Sequence, residues 1–192
     1  MIAVKKRLLI FAPVAVVVAV AAVFKLIAVY HGLENQDAAV NSQWARVDDA
    51  LKQRADLAPD LKETVKAYTK RDDPAFQKIE EARSAFDGAH APQDRIASSD
   101  RLSAALARLL LLVENYPKLR SNRDFQRLED ELAASENRIA VERRKYNEIL
   151  EHYNAQIQIF PDNVVATVSG FHRNDAYFRT DGANGGVPRI PF

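Results

Sequence analysis

Apolar and polar residues follow two rhythms along this chain. From Leu8 to Phe24 there is no alternation, since each of 17 positions is apolar or proline; Lys25 alone interrupts before Leu26 to Tyr30 extend the stretch to 23 positions. At about 1.5 Å per residue such a helix is roughly 35 Å long, enough to cross a ~30 Å hydrocarbon core. Beyond it, Leu33, Val40, Trp44, Val47 and Leu51 recur at sevens, fours and threes, the stripe of an amphipathic helix. Pro59 is expected to interrupt that helix, with Asp56 placed to cap or mark a kink, before Leu61, Val65 and Tyr68 resume the pattern.

Punctuation divides the rest. Asp72-Asp73-Pro74 reads as a helix start for Phe76, Ile79 and Phe86, and Asp87 to Asp94, "DGAHAPQD", as a loop. Arg95 to Tyr116 is an alanine- and leucine-rich helix, apolar nearly all round from Leu109 to Val113, as a segment buried on several sides should be. Pro117 ends it, and Asn122 caps a helix of roughly 38 residues, or ~57 Å, reaching to Pro161. Its apolar positions step by sevens through Phe125, Leu132, Ile139, Tyr146, Tyr153 and Phe160, with Leu128 and Ile149 as companions. "VVATVSGF" follows as a short apolar segment, then a Gly-rich stretch and a final Pro-Phe. The pattern predicts an all-α protein: a single N-terminal transmembrane helix followed by an antiparallel bundle of long helices. The expected divisions are residues 1–30 (a cytoplasmic stub and the span), 31–160 (the bundle) and 161–192 (the short apolar segment and a tail).

Composition sharpens this. Lys5, Lys6, Arg7 and Lys25 are the only charges before Glu34; removing those four from the 27 basic residues leaves 23 against 26 acidic. A mildly acidic domain disfavours phosphate-driven nucleic-acid binding. The three early basic residues put the N-terminus in the cytoplasm and the domain outside. Leu8 and Phe24 bound the unbroken run, Lys25 reaches toward the headgroups and Tyr30 anchors at the interface. The competing reading is a cleaved signal peptide with Val20-Ala21-Ala22 at its cleavage site; the apolar run exceeds a usual h-region and favours a retained anchor.

Chemistry is sparse. The chain has no cysteine, hence no disulfide or thiolate chemistry. His31, His90, His152 and His172 are scattered without an i, i+4 pair, so no metal site is expected. Neither a Gly-rich phosphate loop after a strand nor a nucleophile elbow occurs. No enzyme activity, cofactor or small-molecule substrate is expected. Two surfaces remain. Tyr146-Asn147 and Tyr153-Asn154, with Phe160, form a repeated face that reads first as a packing seam and second as an assembly surface. Tyrosine suits a seam with a wet end, and the asparagines lie where they fix register. Arg54 and Asp56 beside Pro59, with Glu136, Asn137 and Arg144 on the long helix, are candidates for a buried polar network, against the plainer reading of exposed ion pairs.

The chain resembles the LemA family of bacterial membrane-anchored helical proteins. Tyr30, Leu33, "AVNSQW" (Ala39 to Trp44), Val47 and Leu51 are similar to the family's post-membrane segment. "RADLAPDLKETVKAY" (Arg54 to Tyr68) resembles its Arg-x-Asp-Leu-Ile-Pro-Asn-Leu-Val run, with Ala58, Asp60 and Lys62 as departures. Tyr116 to Asn154, closing on Phe160-Pro161, is the most specific block, with Glu142 where a small residue is usual. The resemblance implies a membrane helix plus antiparallel bundle and supplies no catalytic residue.

The expected function is therefore a membrane-anchored scaffold that contacts the bilayer, self-associates into a homo-oligomer and organises or shapes the membrane. The alternative is an accessory subunit that docks another envelope protein through its bundle or through the tail residues Val187, Ile190 and Phe192.

Overall fold

The structure, a computed structural model, describes residues 2–70 and 73–178, with residues 2–13 described by backbone alone. Six helices follow one another: α1 (Ile2–Lys66), α2 (Pro74–Asp87), α3 (Pro92–Val113), α4 (Pro117–Arg120), α5 (Arg123–Gln156) and α6 (Asp162–Ser169). No strand occurs among the described residues. The protein is all-α, with one long apolar N-terminal helix.

The helix starts follow local chemistry. The Asp73 carboxylate accepts the Ala75 amide at 2.9 Å with Pro74 at the first helical position, which satisfies one of the orphan N–H groups of α2. Asn122 does the same for α5, accepting the Phe125 amide at 3.0 Å. At the end of α6, Gly170 adopts φ 78°, the left-handed conformation that only glycine takes without steric cost.

Three elements differ from the sequence pattern. Pro59 does not break α1, which continues to Lys66. A mid-helix proline costs roughly 3 kcal/mol. Leu61 and Val65 are fully buried just beyond it, and each such side chain contributes about 1.5–3 kcal/mol, so packing holds the helix through the defect. Secondly, α5 stops at Gln156. Its end tightens into i, i+3 bonds from Gln158 to Ala155 and from Ile159 to Gln156, consistent with the bias of a residue preceding proline away from the helical region. Lastly, "VVATVSGF" contains a two-turn helix of its own, α6.

The described residues divide into two units. The first comprises α1 up to Asn41 with Glu148–Asp175. Here Gly32 lies against the Gln156 side chain, Phe171 meets Tyr30 with ring centroids 5.9 Å apart, and Leu33, Val40, Leu150 and Tyr153 are buried. The second comprises Ser42–Asn147 with Ala176 to Phe178. Its contacts pair Gln43 with Glu142 and Arg54 with Glu136, an order that sets α1 and α5 antiparallel. Leu51, Leu61, Ile79, Phe86, Leu102, Leu109, Phe125 and Ile139 fill its core.

The residues of α1 before the bundle behave differently. None of the side chains in its most apolar window is buried, and Phe24 is 68% exposed. The helix is long and apolar enough to cross a membrane.

Candidate functional site

The repeated Tyr-Asn face holds a non-helical segment of the chain. In the first unit, Asn154 engages both backbone groups of Asn174: its amide donates to the Asn174 carbonyl at 2.6 Å, and its oxygen accepts the Asn174 N–H at 2.9 Å. The Tyr153 hydroxyl donates to the His172 carbonyl at 3.0 Å. In the second unit, Asn147 does the same to Phe178, donating to its carbonyl at 2.7 Å and accepting its N–H at 3.0 Å. A carboxamide carries one donor and one acceptor edge, so it can stand in for the neighbouring strand that a segment outside any sheet lacks.

The surroundings of the two pairs differ. Phe178 is buried against Trp44 and Tyr146, with ring centroids at 6.1 and 5.8 Å, and Trp44 and Tyr146 are 5.4 Å apart. The Arg143 guanidinium lies 4.7 Å from the Phe178 ring centroid, a cation–π geometry. Around Tyr153, burial pushes the phenol above its ordinary range, and the charge of Asp37 adds to the shift.

A second cluster centres on Arg54, which is 2% exposed. Its guanidinium donates to Glu136 at 2.7 Å and to the Ser99 hydroxyl at 2.8 Å. Arg143 donates to Asp100 at 3.2 Å. Burial lowers the Arg54 pKa; the Glu136 charge opposes that and the Arg143 charge adds to it. Asp56, Asn137 and Arg144, named beside Arg54 from sequence, are exposed. Ser99, Asp100 and Arg143 occupy the positions around it instead; a Ser-Ser-Asp run inside an alanine- and leucine-rich helix was the available signal. Nearby, Gln43 donates to Glu142 at 2.6 Å and holds that carboxyl below its ordinary range, which gives the unusual Glu142 a definite partner.

Phe160, the last member of the heptad series, is 78% exposed, and Ile157 is buried in its stead. The side chain of Leu8 and the tail residues Val187, Ile190 and Phe192 lie outside the described residues. Lys25 is exposed and Tyr30 packs on His31 and Phe171.

Among the described residues, no three His, Asp or Glu side chains converge to hold a metal. Two open grooves occur in the second unit, of about 340 Å³ beside Gln53, Leu57 and Arg138 and about 380 Å³ beside Tyr68 and Tyr116. The first is also lined by Ser135 and Glu131, but the Ser135 hydroxyl donates to the Leu132 carbonyl and Glu131 accepts from Arg127, so the two are not joined to each other. The chemistry this arrangement supports is positioning of backbone.

These features agree with the family relationship: residues 43–192 match the LemA family. The chain belongs to that family. It is also similar to Magnetosome protein MamQ 2 of Paramagnetospirillum magneticum, 37% identical over 75 residues, covering 39% of this chain and 27% of that protein. Magnetosome protein MamQ of Magnetospirillum gryphiswaldense is 35% identical over 69 residues, covering 36% and 25%. The similarity thus spans about a quarter of the length of these relatives.

Proposed function

We propose that this protein is a non-enzymatic, single-pass scaffold of the bacterial cytoplasmic membrane that self-associates and organises or shapes the bilayer. The carrying observation is α1: one helix runs from an apolar stretch with no buried side chain among those described into a stripe that includes the fully buried Leu33, Val47 and Leu51. Residues 1–30 anchor the chain, with the N-terminus in the cytoplasm and the bundle in the periplasm. Confinement of many copies to one plane raises their effective concentration, so weak lateral contacts suffice for assembly. The alanine- and valine-rich span permits close helix approach in lipid. The similarity to magnetosome proteins supports a role at a specialised cellular structure.

Two differently tagged full-length copies, expressed together and crosslinked in the membrane through their lysines, test the reading. Recovery of one tag with the other and a ladder of crosslinked species are expected. Independent recovery without a ladder contradicts self-association and favours an adaptor that docks a separate envelope protein.

A further inference from the structure

The first unit carries an apolar patch that its own packing leaves uncovered. Ile159 and Phe160, in the turn after α5, are 62% and 78% exposed; Val164 and Val168, on one face of α6, are 50% and 84% exposed. Val165 and Ala166 of the same short helix are buried, so α6 is seated by one face and shows valine on the other. Side chains this apolar, adjacent and solvent-facing mark a surface that meets something less polar than water.

Their position identifies it. In this unit Asp37 acts on Tyr153 and Gly32 lies against Gln156, so α5 runs antiparallel to α1 and toward its apolar stretch. Ile159 and Phe160 follow Gln156 by three and four positions, on the side of Gly32 where the apolar stretch ends at Leu26 to Tyr30. The ring contact between Phe171 and Tyr30 at 5.9 Å brings the far end of α6 to the same place. Within this unit the patch therefore flanks the end of the apolar part of α1.

We infer that the α5–α6 turn and the exposed face of α6 form a second membrane contact, with Ile159, Phe160, Val164 and Val168 seated in the interfacial layer of the bilayer that α1 crosses. The inference rests on the reading of α1 as a membrane anchor. A short element with one apolar face at headgroup depth binds in the plane of the interface. Combined with a spanning helix, it fixes the tilt of the bundle and adds area to one leaflet only, a means by which a single-pass protein acts on bilayer shape.

The chain contains no cysteine, so single cysteines report cleanly. Full-length Phe160→Cys, Val168→Cys, Val18→Cys (within the span) and Glu151→Cys (an exposed bundle position) are labelled with an environment-sensitive fluorophore. Each is reconstituted into phosphatidylcholine–phosphatidylglycerol vesicles and quenched by nitroxide lipids labelled at shallow or at deep positions, or by aqueous iodide. The expected result is lipid quenching at 160, 168 and 18 several-fold above that at 151. Lipid quenching at 18 with iodide quenching at 160 and 168 overturns the second contact and leaves the anchor standing. Iodide quenching at all four sites overturns the anchor and the inference together. Efficient crosslinking of Phe160→Cys between copies, without lipid quenching, assigns the patch to a second copy and also overturns it.

Discussion

Tyr146-Asn147 and Tyr153-Asn154 are the same dipeptide one heptad apart on one helix, yet each belongs to a different unit and is held by different forces. Asn147 is half-buried and pins a phenylalanine already wedged among Trp44, Tyr146 and Arg143. Asn154 is buried and pins a polar residue, with the Tyr153 hydroxyl fastening His172 beside it. In the first case apolar and cation–π packing dominates and the carboxamide sets register. In the second, hydrogen bonds from buried groups carry the attachment. A heptad fixes where a side chain points; what that side chain contributes depends on what arrives to meet it.

Tyr146→Ala, which empties the centre of the aromatic cluster, should destabilise the chain most. Loss of a buried aromatic costs about 3–5 kcal/mol, read by denaturant unfolding of the solubilised full-length chain; a loss under about 1 kcal/mol would show that Phe178 packs without it. Asn154→Ala comes next, at about 2–4 kcal/mol, since it strips both bonds from Asn174 in a buried setting; Asn147→Ala should cost about 1–2 kcal/mol because its site is wetter and Phe178 retains its ring contacts. Equal losses would erase the distinction. Tyr153→Phe removes a single hydrogen bond, worth about 1 kcal/mol, and should speed amide exchange in residues 171–175 more than around Phe178.

The smallest effects separate the units by pH. Burial raises the Asp48 carboxyl, but hydrogen bonds from Arg95 and Lys52 outweigh it, and its pKa falls below the ordinary 3.8. Its contribution is present above that value and is lost as pH falls through the lower folded one. Tyr153 runs the other way: with a folded pKa raised above 10.0, its contribution is complete below pH 10.0 and is lost as pH rises through the folded value. Asp48→Asn should flatten only the acid limb of the thermal midpoint against pH, and Tyr153→Phe only the alkaline limb. Changes on the opposite limbs would contradict the assignment.

Local pattern made much of this legible. The apolar stretch, the caps Asp73 and Asn122, and the heptads through Tyr153 are properties of neighbouring residues, and periodicity reports them directly. Other features depend on distant parts of the chain. Asn147 and Asn154 find partners 31 and 20 residues away in a segment with no periodic signature, so the repeat was visible and what it holds was not. Arg54 stood out, but Ser99 and Arg143 came from two other helices. Leu150 rather than Ile149 is the fully buried companion, because a helix of 3.6 residues per turn drifts against a strict seven. Pro59 illustrates the reverse: a strong local signal for a break, overruled by the burial on both sides of it.

Homo-assembly in the membrane as the working state stands or falls on the mass of the full-length chain extracted in native-membrane nanodiscs. A discrete species whose mass is a multiple of the 21.5 kDa chain is expected. A mass corresponding to one copy would contradict it.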